Sequence, residues 1–188
     1  MSRRASAVEP SWGWPEFLRY FRAELGPLSP LEKGYVPWLA ASPDFETATD
    51  RAVRSRFPDG KMHNHQTRVR LSALLRFGEA IVSERARIFG FTDFHDLWHL
   101  LDEIKPWGIG ALTVYDVAER LGRYLRLTPR RVYLHAGPTI GAKALGIPVE
   151  GKEWLEMHEL PVPMRVLAAD EAEDFLCVFN SYLHRFAP

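Results

Sequence analysis

Cysteine is almost missing from this chain. Cys177 stands alone, so no internal disulfide can form and no cysteine-based zinc site can be built. Long apolar runs are missing too. No stretch approaches the ~20 apolar residues of a membrane span, so no membrane association is expected. Met1-Ser2-Arg3-Arg4 is charged, but Pro10, Trp12 and Trp14 follow instead of an apolar run, which argues against a secretory signal. A cytoplasmic location is the expectation. Lysine is scarce, since 19 of the 24 bases are arginine. Acid is wholly absent from residues 120–149.

The charge that is present is unevenly placed. The formal net charge is zero, yet residues 51–88 hold nine bases against three acids, and residues 120–149 hold six bases. Residues 89–119 and 150–188 are each at −5. Two basic blocks are therefore set in an acidic remainder. Arginine suits phosphate, because its planar guanidinium offers a fork of donors. A solvated surface would account for the same composition.

Periodicity and punctuation read as all-α, and 46% hydrophobic residues suffice for a core. Residues 1–12 read as a disordered tail and 13–188 as one helical domain, divisible into lobes 13–90 and 91–188. Phe17, Leu18, Phe21 and Leu25 give a helix over 14–25. Ser29-Pro30 and Ser42-Pro43-Asp44 are helix starts, the second running to about Phe57. The longest helix is expected over 66–88, with Leu71, Leu74, Leu75, Ile81 and Val82 inward. Thr92 caps a helix over 93–104, and another spans 112–127. Thr128-Pro129 starts a short helix to Leu134, with a weak strand signal over 131–134. A short helix follows near 141–145. Residues 170–186 form a C-terminal acidic amphipathic helix.

Between the helices 93–104 and 112–127 lies Lys105-Pro106-Trp107-Gly108-Ile109-Gly110. Two glycines let the backbone turn tightly and approach a ligand closely. The next helix starts there, so its free N–H groups and positive dipole end form an anion site. The order resembles the helix-hairpin-helix motif of DNA repair and replication proteins, over residues 93–122. Here Pro106-Trp107 stands where that motif usually has Leu-Pro. The resemblance implies binding to double-stranded DNA through the phosphates, with little sequence preference. Lys105, Trp107, Gly108, Gly110, Arg120, Arg123, Arg130 and Arg131 are the candidate contacts. Trp107 is read as a base-stacking wedge or, preferably, a hydrophobic plug. Asp102 and Glu103 count against phosphate binding.

The all-α superfamily with this hairpin includes base-excision DNA glycosylases. Bifunctional members place a lysine two positions after the second glycine, where Leu112 stands here. Most place an aspartate after the hairpin's second helix, in the zone that here is acid-free. A standard glycosylase is therefore not expected.

A second glycine-rich stretch runs Arg131-Val132-Tyr133-Leu134-His135-Ala136-Gly137, then Gly141-Ala142-Lys143-Ala144-Leu145-Gly146. It is similar to a segment of uncharacterised bacterial proteins that share the Gly-Ile-Gly-x-Leu-Thr-Val-Tyr-Asp run. Lys143, His135, Tyr133 and, beside the hairpin, Asp116 are the candidate catalytic groups of an alternative reading, an atypical nucleic-acid-modifying enzyme. The plain alternative is a packing corner with Lys143 in solvent. Asp116 and Glu119 each stand four before an arginine, the spacing of helix-surface pairs. A third reading makes the acidic C-terminal helix a protein-docking face. His63, His65, His95 and His99 form a metal site only if their segments meet. No metal or other cofactor is expected. The DNA reading gains most if the hairpin tip shares an exposed face with the arginines of 51–70 and 120–131.

Overall fold

A computed structural model of the chain describes residues 8–9, 11–25, 30–57, 59–60 and 66–187. Among these the fold is all-α. Its helices are α1 (Trp14–Tyr20, continued by a π-helical turn, Phe21–Leu25), α2 (Pro30–Ala40), α3 (Phe45–Arg54), α4 (Leu71–Ser83), α5 (Arg85–Ile88), α6 (Phe94–Ile104), α7 (Ala111–Leu125), α8 (Ala136–Ala144) and α9 (Ala169–Phe179). One two-stranded ladder, β1 (Val132–Tyr133) with β2 (Trp154–Leu155), is antiparallel, and Val132 faces Leu155. No described helix is long and apolar enough to cross a membrane.

Local chemistry sets the helix ends. The Asp44 carboxylate accepts from the Thr47 N–H at 2.7 Å and starts α3, so Asp44 is the cap and not Ser42. The Thr47 hydroxyl and N–H hold that carboxyl below the ordinary 3.8. Ser55, in the left-handed region at φ 51°, ends α3 before Phe57. Asp93 caps α6 through the His95 N–H at 2.7 Å, the role expected of Thr92. The expected helix over 66–88 is broken. Gln66–Arg68 is a 3₁₀ turn, and Glu84 separates α4 from α5. Ile81 and Ile88 are both buried, so the apolar phase carries through the break and periodicity does not reveal it. No helix forms over 128–134. Val132 and Tyr133, good strand residues, satisfy their backbone in the ladder. The C-terminal helix stops at Phe179, with a 3₁₀ turn over Leu183–Phe186.

The chain divides into a contiguous unit, Gly34–Pro129, and a split unit, Met1–Lys33 with Arg130–Pro188. This line differs from the expected lobes 13–90 and 91–188. Its cause is an aromatic cluster that ties α1 to α9. Phe17 meets Phe179 edge-on at 4.9 Å, Phe21 meets Phe175 at 5.4 Å, and Trp14 stacks on Phe186 at 4.3 Å. Each such pair contributes roughly 0.5–1.5 kcal/mol beyond burial. Trp12, expected in the tail, also packs on Phe17 at 5.8 Å. The rest of the expected tail, apart from Val8, Glu9 and Ser11, lies outside the described residues. In the contiguous unit α3 packs on α4 and α7, and α6 on α7 and α4. Phe45, Leu74, Phe77, Ile81, Leu97 and Leu121 are buried there.

Candidate nucleic-acid interface

The hairpin is α6, a six-residue turn and α7. Lys105 leaves α6 in an extended conformation. The Ile109 N–H donates to Pro106 O at 3.2 Å. Gly108 between them takes φ +95°, a region that L side chains rarely adopt. Ile109 is buried beneath the turn. Trp107 points the other way and is 86% exposed, so it is not the expected plug. Gly110 is the N-cap of α7 and provides no side-chain cap. A Cβ built on it meets nothing within 4 Å. The N–H groups of Ala111, Leu112 and Thr113, in a first turn without acid, therefore start a helix whose end is open.

The acids beside the turn do not stand bare. Asp102 is paired with Lys105, and Glu103 lies 3.7 Å from Arg87. Lys105 is thereby committed to a carboxylate. Arg120 and Arg123 are committed as well. Arg120 is 7% exposed; it lies 3.4 Å from Asp116 and donates to Ala52 O at 3.4 Å. Asp116 is its counter-ion, which accounts for that acid without catalysis. Arg123 places its Nε and Nη2 on Glu119 Oε1 at 3.2 and 2.8 Å.

Arg130 and Arg131 belong to the split unit. Arg130 is exposed. Arg131 donates to Glu156 at 3.0 Å, with its guanidinium 4.9 Å from the Trp154 ring centroid. Lys143 stands apart from Tyr133 and His135. Tyr133 is buried in β1, and His135 is the buried N-cap of α8. Lys143 sits eight residues on, about 12 Å along the axis at helical rise, and its exposed ammonium lies 3.6 Å from Glu150. The N–H groups of Glu150 and Val149 hold the Glu150 carboxyl below the ordinary 4.5, and Lys143 adds to this. His135 instead meets Glu173, with Nε2 2.6 Å from Oε1 and both side chains buried.

The glycines of this stretch serve packing. A Cβ on Gly137 would lie 2.4 Å from Cys177 Sγ, and one on Gly141 would lie 2.3 Å from Leu176 O. They let α8 come close to α9. That helix places Phe175, Leu176, Phe179 and Glu173 inside the split unit, while Asp174 is exposed and Asp170 and Glu171 are half-buried.

His95 and His99 share α6 with ring centroids 6.2 Å apart, and His95 stacks on Trp98 at 5.6 Å. His63 and His65 lie outside the described residues. Among the described residues no group of three or more potential ligands could hold a metal ion. Sequence reasoning missed Glu173 as the partner of His135, because 38 residues separate them. It also missed what α4 presents to the hairpin. A Cβ on Gly108 would lie 3.6 Å from Ala73 Cβ, in the first turn of α4. Compared with protein-family models, curated proteins and solved structures, the chain matches none.

Proposed function

We propose that this protein binds nucleic acid, double-stranded DNA foremost, by gripping the phosphate backbone at the hairpin tip with little regard to sequence. The observation that carries the reading is the open start of α7. Gly108 at φ +95° turns the chain, and Gly110 leaves the first N–H groups of a fifteen-residue helix without a side-chain cap or neighbouring acid. Such an end favours an anion through oriented donors and dipole together. The pairing of Asp102 and Glu103 with bases lowers the repulsion a phosphate would meet. Trp107, exposed at the tip, offers a flat face to a sugar or base.

The test is Gly110→Asp. Space is open there and φ is −93°, so the aspartate fits, caps α7 and leaves stability equal or better by a few tenths of a kcal/mol. Its carboxylate occupies the anion position. Duplex affinity at low salt should fall about tenfold or more, with the thermal midpoint unchanged or raised. Undiminished binding in this variant, or no salt-dependent binding by the wild type, would sink the reading.

A further inference from the structure

We infer that the phosphate-binding surface continues from the hairpin onto the start of α4, where Arg68, Arg70 and Arg76 supply the cationic contacts. The inference rests on the nucleic-acid reading above and replaces the arginines expected to serve it. In the contiguous unit Arg54, Arg85, Arg87, Lys105, Arg120 and Arg123 each hold a carboxylate. Arg56, Arg68, Arg70, Arg76 and Arg126 are exposed, and none pairs with a carboxylate among the described residues; of these, Arg68, Arg70 and Arg76 are tied to the hairpin by a contact. No acid occurs between residues 60 and 78; Glu79, three residues after Arg76 in α4, is the nearest in sequence, and it forms no ion pair with Arg76 among the described residues.

Their place relative to the hairpin follows from one contact. The Gly108 turn packs on Ala73, whose N–H donates to Arg70 O at 2.9 Å. Arg70, the N-cap of α4, is therefore within one helical turn of the residue the hairpin touches. Arg68 closes the preceding 3₁₀ turn. Arg76 is three residues beyond Ala73, the next position up the same side of α4, about 5–6 Å away between Cβ atoms. All three arginines thus lie within five residues of the position that the Gly108 turn touches. Crowded like charges without counter-ions weaken a fold and suit a surface whose counter-ions arrive with the partner. The spread over more than two turns fits a chain of phosphates better than one small anion. Arginine's fork suits phosphate oxygens. Leu71, 47% exposed among these bases, adds an apolar contact for sugar.

The experiment compares wild type, Arg68→Ala/Arg70→Ala/Arg76→Ala, the corresponding triple lysine variant and Gly110→Asp. Binding to a short duplex of random sequence is measured between 50 and 200 mM salt. Each phosphate contact adds about 0.9 to the salt slope. The triple alanine variant should then lose about 40-fold less affinity than wild type across that range, with its unfolding midpoint unchanged. The lysine variant should keep most of the wild-type slope. A wild-type slope in the triple alanine variant overturns the inference, while loss of binding in Gly110→Asp would keep the hairpin reading alive. A reduced slope with unaffected binding in Gly110→Asp supports the arginine surface and overturns the hairpin's part. No duplex binding by the wild type overturns both. Wild-type binding to phosphatidylserine vesicles with none to duplex, abolished by the triple alanine change, assigns the surface to a membrane and also overturns the inference.

Discussion

The contiguous unit carries a pair of glycines just before a helix and the split unit carries a pair within one, and the two pairs exist for opposite reasons. At Gly108 and Gly110 the space around a Cβ is nearly empty, and what matters is backbone: a left-handed φ at the first and an uncapped helix start at the second. At Gly137 and Gly141 the backbone is ordinary helix and the space is full, since α9 occupies it to 2.4 and 2.3 Å. The first pair holds a surface open and the second closes a core. Paired glycines therefore say nothing about function until their neighbours are known. In the split unit the glycine-rich stretch and its tyrosine, histidine and lysine dissolve into a helix interface, a buried His135–Glu173 contact and a solvated base.

The sharpest way to break this comparison is Gly141→Ala. The obstruction is the Leu176 carbonyl, part of the α9 backbone, so α8 and α9 must part. We expect a loss of about 3 kcal/mol, at the upper end of overpacking costs, read by denaturant unfolding. A stability equal to wild type would refute the packing account of this glycine. Gly137→Ala should cost less, about 2 kcal/mol, because the nearest obstruction is a side chain, Cys177 Sγ. Adding Cys177→Ala should recover about half of that loss, the remaining contact being Cys177 Cβ at 3.1 Å; no recovery in the double variant would place the strain elsewhere. Gly110→Asp is the smallest change in stability, a few tenths of a kcal/mol in the favourable direction, and the largest in binding. If it destabilised the protein as Gly141→Ala does, the contrast between the two pairs would be lost.

Much of this was legible from the sequence, and what was not shares one cause. Apolar spacing marked α1, α6 and α7, and the Gly-Ile-Gly turn between α6 and α7 stands where it was read. These are local facts. The pairing of Asp116 with Arg120 was legible as a four-residue spacing, but its burial was not, because burial depends on Ala52, 68 residues away. Lys143 read as a neighbour of His135 because eight residues are near in sequence; a helix sets them at opposite ends. Arg68, Arg70 and Arg76 read as undifferentiated positive charge, since only the Gly108–Ala73 contact ties them to the hairpin. The division of the chain was equally hidden, for no local pattern announces that Phe17 will meet Phe179.

The split unit has a consequence for the order in which the protein is made. Residues 34–129 emerge from the ribosome before any of 130–188, so the contiguous unit can fold while its neighbour is still missing most of its core. Trp14, Phe17 and Phe21 must meanwhile wait for Phe175, Phe179 and Phe186. At typical elongation rates the delay is several seconds. During it Phe17 and Phe21 lack the α9 rings that cover them in the folded protein. Nascent chains stalled with residue 160 just exposed should protect 34–129 from protease while leaving 14–25 open to cleavage, and chains stalled beyond 188 should protect both.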